Sequence, residues 1–160
     1  YMAALSLFNQ SPFYNLDQSS TVEAVDALQA HVNRYPNSAY YAQATAMIDA
    51  LQYKLEQKNY ALSKQFFRLR RYEAAVTAID NFNKDFPDSD LNEELNYIKV
   101  LSQHNYAKQS ITSKQKERYE KMIELYLEFL EDYPKSDYLR DAERLYASGM
   151  NELSRLQAIN

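Results

Sequence analysis

Cysteine is absent from the 160 residues, and disulfides, thiolate zinc sites, iron–sulfur clusters and cysteine nucleophiles are excluded with it. A cysteine-free chain suits cytosol and periplasm alike, so the absence leaves the compartment open. Glycine occurs once, at Gly149. Phosphate-cradling loops need several positions where backbone approaches the ligand closely, so nucleotide-binding loops are excluded. One glycine and four prolines also leave almost no residue suited to the positive φ angles of hairpin turns, which argues against an all-β sandwich or barrel. The two histidines, His31 and His104, fall on different predicted helices without a His-Glu-x-x-His spacing, so a zinc site lacks its usual ligands. Asp88 and Asp90 open like a calcium loop, yet the glycine at loop position six is missing and position twelve is Lys99. No metal or cofactor is expected. Eighteen basic against 22 acidic side chains give a net charge of −4, with no general cationic field for nucleic acid or anionic lipid. No apolar run approaches the roughly 20 residues of a membrane span, and Tyr1 to Phe8 is too short and lacks the basic flank of a signal peptide.

What the chain does contain is an internal repeat. Tyr35-Pro36-Asn37-Ser38, Phe86-Pro87-Asp88-Ser89 and Tyr133-Pro134-Lys135-Ser136 share the order aromatic, proline, polar, serine. Counting back from each proline, position −8 is Leu28, Ile79 and Tyr126, and position −11 is Val25, Val76 and Ile123. Position −4 is Val32, Asn83 and Leu130, with Asn83 the one break in an apolar stripe at helical spacing. Forward, position +8 is Ala44, Leu95 and Ala142, and +11 is Met47, Ile98 and Leu145, so a second helix follows each proline. Proline keeps the preceding residue out of helical ψ, and the serine can accept hydrogen bonds from the first amides of the next helix. The spacing predicts helices over 1–9, 20–34, 38–68, 71–85, 89–108, 114–132 and 137–157.

The fold class that follows is all-α: a tetratricopeptide-like α-solenoid of antiparallel helix pairs with elongated repeats, about 1–35, 38–86 and 89–133, and a capping helix over 137–157. The whole chain is read as a single domain. Its first helix starts in mid-pattern and the chain does not begin with methionine, so a C-terminal fragment of a longer protein is expected.

No constellation for catalysis emerges. Glu93-Glu94 and Glu131-Asp132 are sequence neighbours whose side chains point around a helix and not at each other. Two basic clusters are left to interpret. Lys64, Arg68, Arg70 and Arg71 gather at the end of the long helix, where cations complement the negative helix terminus or form forked bonds to a partner's carboxylates. Lys108, Lys114, Lys116 and Arg118 surround a polar turn. Of 15 tyrosines, Tyr41, Tyr53, Tyr60 and Tyr97 fall beside the main stripe, as groove lining or as packing between repeats.

The run Val22-Glu23-Ala24-Val25 through Tyr35-Pro36-Asn37-Ser38, the long helix through Tyr60 and Phe66-Phe67, and Arg71-Tyr72-Glu73-Ala74-Ala75-Val76 through Phe86-Pro87-Asp88-Ser89 resemble the C-terminal part of the BamD family. These are tetratricopeptide lipoproteins of the outer-membrane β-barrel assembly machinery. The resemblance covers about residues 1 to 108, with 114 to 157 as a helix pair beyond it. It implies a non-enzymatic scaffold at the periplasmic face of the outer membrane, anchored through an N-terminal lipidated cysteine that this sequence lacks. It also implies protein partners, the POTRA domains of the barrel-forming subunit, and no nucleic acid. Tyr-Pro-x-Ser turns recur in other envelope tetratricopeptide adaptors such as the Tol–Pal coordinator, which is the alternative. The partner-binding candidates are Lys64, Arg68, Arg70, Arg71, Tyr41, Tyr53, Tyr60 and Tyr97.

Overall fold

A computed structural model describes residues 1–159, and its regular structure is entirely helical among them. Seven helices follow in order: α1 Met2–Gln10, α2 Ser19–Arg34, α3 Tyr41–Arg68, α4 Tyr72–Asp85, α5 Asn92–Lys108, α6 Thr112–Asp132 and α7 Leu139–Ile159. This is the expected all-α, tetratricopeptide-like arrangement of packed helix pairs. Helices adjacent in sequence pack together, α1 on α2, α4 on α5, α5 on α6 and α6 on α7, and α7 also reaches α5. The chain divides into two compact units, Tyr1–Asn59 and Tyr60–Asn160, with the division inside α3.

The three proline motifs fold almost identically. Tyr35, Phe86 and Tyr133 close their helices at φ −132, −131 and −129° and ψ 64, 63 and 59°, each donating its amide to the carbonyl four residues back. The serine amide then bonds the aromatic residue's carbonyl at 3.1–3.2 Å, which places proline at the second position of a tight turn, where its fixed φ fits. Ser38, Ser89 and Ser136 accept at Oγ from the amides of Tyr40, Leu91 and Tyr138 at 3.2, 3.1 and 3.1 Å. A second turn intervenes before helix resumes, so α3, α5 and α7 start at Tyr41, Asn92 and Leu139, later than the expected 38, 89 and 137. The serine organises a double turn and not the first helical residue.

The buried stripe follows the expected one at −8 in all three repeats and at −4 in the first, where Val32 is buried, and departs from it in the second and third. Leu28, Ile79 and Tyr126 at −8 are buried, as are Ala24, Ala75 and Met122 at −12. The third buried position is −5, occupied by Phe82 and Phe129 in the second and third repeats, whereas at −4 Asn83 is half-buried and Leu130 exposed. With −5 as the core position, Asn83 ceases to be a break: it pairs with Asn96 of α5 through two amide hydrogen bonds of 2.9 and 3.2 Å.

In the first unit, Ala4, Ala24, Leu28, Val32, Ala44, Ile48 and Leu51 of α1, α2 and α3 form one core. In the second, Ile79, Phe82, Leu95 and Ile98 form a cluster flanked by Tyr60 and Phe67. A larger one joins α5, α6 and α7 around Val100, Tyr119, Met122, Phe129 and Ala142. Gly149 lies in this region, buried within α7; a Cβ added there would stand 2.1 Å from Met122 Cε, so the close approach of α7 to α6 requires the missing side chain. No described helix is long and apolar enough to cross a membrane.

Candidate functional site

The turn from α3 to α4 carries three of the candidate cations. Leu69 closes α3, Arg70 takes φ 57°, and the Arg71 and Arg70 amides bond the carbonyls of Phe66 and Phe67 at 2.9 and 3.0 Å. This pair of crossed bonds is a Schellman closure, and its left-handed position usually belongs to glycine. Arg70 is the one described non-glycine residue with positive φ. Arg68, Arg70 and Arg71 are exposed, and none of the ion pairs among the described residues involves them.

Lys64, grouped with them in the sequence, is used differently. Its Nζ donates to Glu94 Oε1 at 2.6 Å and to the Tyr60 hydroxyl at 2.9 Å, while that hydroxyl donates to Glu94 Oε2 at 2.6 Å. Lys64 Nζ also lies 4.9 Å from the centre of the Tyr60 ring. The hydrogen bond to Glu94 raises the Lys64 pKa above its ordinary value. Burial alone would raise that of Glu94, but the bonds from Lys64 and Tyr60 outweigh it and hold the carboxyl below the usual range. Burial, then the bond to Glu94, pushes the Tyr60 phenol up. The triad clamps α3 to α5.

The second basic cluster also separates. Lys114 and Lys116 make exposed pairs with Glu117 and Glu120 on their own helix, at 3.8 and 4.0 Å. Arg118 is half-buried: its guanidinium lies 3.9 Å over the Tyr106 ring and bonds Ser110 Oγ, whose hydroxyl in turn donates to the Tyr106 carbonyl. The turns α3–α4 and α5–α6 thereby enclose a cleft of about 480 Å³ lined by Arg70, Arg71, Tyr72, Glu73, Tyr106 and Arg118, among others. Burial, then the nearby Glu73 carboxylate, pushes the Tyr106 phenol upward. Arginines 47 residues apart in sequence, Arg71 and Arg118, meet in this cleft. Nothing in their spacing announces it.

Among the tyrosines, Tyr97 is a packing residue, stacked on Tyr138 with ring centres 4.9 Å apart and tilted against Phe129. Tyr41 and Tyr53 belong to the first unit and are 40% and 63% exposed. That unit also holds the expected loop between α1 and α2, whose apolar residues the sequence reading did not single out. Gln18 Nε2 donates to the carbonyls of Phe13 and Leu16, Lys54 to Ser11 Oγ at 2.7 Å, and Lys58 to the Leu16 carbonyl at 2.7 Å. The pinned loop leaves Phe13, Tyr14 and Leu16 exposed. The cluster Phe-Tyr-Asn-Leu within a polar stretch was the available signal.

The family described as YfiO, outer membrane lipoprotein, matches residues 1–78 and 64–157. Its second match takes in α6 and most of α7, which the sequence resemblance had placed beyond the family pattern. The outer membrane protein assembly factor BamD of Caulobacter vibrioides is 33% identical over 76 residues, 48% of this chain and 25% of that protein. The matched stretch is thus a quarter of the relative's length.

Proposed function

The chain belongs to the YfiO outer-membrane lipoprotein family, and from that premise we propose that it is a non-enzymatic scaffold in the assembly of outer-membrane β-barrel proteins. In this reading it works at the periplasmic face of the membrane, held there by a lipid anchor on the intact protein, and docks on the POTRA domains of the barrel-forming subunit. The observation that carries the reading is the family match together with the similarity to an assembly factor. The fold supports it. Helix pairs with short turns present turn residues to solvent over the packed core of each unit, which suits recognition of proteins. Burial raises the Tyr97 and Tyr119 phenols, and the clamp between Lys64 and Glu94 accounts for the shifts of those two groups.

Arg68, Arg70 and Arg71 are the proposed contacts at the α3–α4 turn, with Tyr41 and Tyr53 as exposed aromatic contacts in the first unit. Lys64, Tyr60 and Tyr97 act from beneath by fixing the helices. Immobilised POTRA domains titrated with the wild-type chain and with the variant Arg68→Glu/Arg70→Glu/Arg71→Glu test this. The expected result is binding by the wild type and about a tenfold or greater loss in the variant, with helix content unchanged. Equal affinities would remove the arginines from the interface. No binding by the wild type would remove the docking itself.

A further inference from the structure

We propose that the cleft between the α3–α4 and α5–α6 turns binds carboxylates of an acidic, partly apolar segment of a partner protein. This deepens the scaffold reading and rests on it, but it does not depend on the partner being the barrel-forming subunit. Three arginines, Arg70, Arg71 and Arg118, line the cleft together with one acidic residue, Glu73. Guanidinium forks match carboxylates with two parallel hydrogen bonds.

The groups are also preorganised. Arg118 is held over the Tyr106 ring and tied to Ser110, so little side-chain freedom is left to lose when an anion arrives. Arg70 occupies a left-handed position where glycine would be less strained, and strain of this kind is concentrated where function requires the side chain. Leu69 and Ile111, sequence neighbours of lining residues on the two turns, are 60% and 71% exposed. Apolar side chains at both turns favour a segment in which acidic and aliphatic residues alternate. A bilayer fits less well: the cleft is recessed, Arg118 is half-buried within it, and the chain carries a net charge of −4.

The test is fluorescence anisotropy of the whole chain with a labelled peptide of about ten residues alternating glutamate and leucine, and a counterpart with glutamine for glutamate. Vesicles of phosphatidylglycerol and the POTRA domains are measured in parallel. The wild type is expected to bind the glutamate peptide at least about tenfold more tightly than the glutamine peptide, with an affinity that falls as salt rises. Arg118→Gln and Arg70→Glu/Arg71→Glu should each weaken it about tenfold or more. Arg70→Gly, which relieves strain and therefore folds, should weaken it as well. Equal affinity for the two peptides, or unaltered affinity in these variants, overturns the cleft whether or not the POTRA domains dock. Binding to vesicles but not to the glutamate peptide replaces the proposal with a lipid site. Arginine-dependent peptide binding without POTRA docking supports the cleft and overturns the docking reading alone.

Discussion

Arg70 and Glu94 show how single residues divide between stability and recognition. Arg70 sits at φ 57° in the closure of α3, where a Cβ is costly and glycine is not. Arg70→Gly is expected to raise unfolding free energy by about 1 kcal/mol, seen as a melting temperature higher by about 2–4 °C. A lower melting temperature would show that the arginine side chain stabilises the turn. Glu94 takes the opposite role. Its carboxyl is depressed in the folded state, so its contribution is complete above the ordinary value of 4.5 and is lost as pH falls through the depressed one. Lys64 is raised above 10.5, so its share is complete below that pH and is lost only as pH rises through the raised value. Glu94→Gln should cost about 1–2 kcal/mol near neutral pH and flatten the decline in stability below about pH 4.5. Urea titrations between about pH 3 and 7 check this, and parallel acid limbs in the two proteins would count against it. The sequence showed Lys64 among arginines because adjacency is all it displays. The carboxylate that claims Lys64 is 30 residues away on another helix, a pairing fixed only by packing.

At the scale of the element, the proline motifs were legible because one local rule repeats. An aromatic residue ends a helix, proline sets the turn, and a serine hydroxyl holds the next amide. The helix starts were misplaced because the serine was assigned to the helix and not to a turn of its own. The stripe was placed one residue off in the second and third repeats because Val32, which is buried, and Leu130 made −4 look apolar, while the side chains that enter the core there are Phe82 and Phe129 at −5. Gly149 was read only as evidence against phosphate loops and hairpin turns, and its structural use depends on Met122 of another helix. Gly149→Val should therefore destabilise by about 1–3 kcal/mol through overpacking, since the Met122 side chain that must move is itself fully buried. Chemical denaturation measures this. A stability equal to wild type would mean that α6 and α7 have room to part.

At the scale of the whole molecule, the two units have separate cores, and stability need not be shared evenly between them. Leu28 is fully buried in the first, so Leu28→Ala should cost about 2–5 kcal/mol there. Hydrogen exchange should accelerate mainly within residues 1–59, and uniform acceleration along the chain would show a single cooperative unit. The fold class and family were legible from periodicity and motif order over most of the length, because helical registers and turns are local. The arginine cleft was not, because it joins residues from two turns far apart in sequence. One consequence of the glycine-poor double turns concerns the denatured chain. Proline and side-chain-bearing residues narrow the backbone angles open to it before folding begins, by an effect worth about 0.4–1 kcal/mol at each compatible site. The protein's conformational search starts from a restricted ensemble, and the entropy surrendered at each of these corners is correspondingly small.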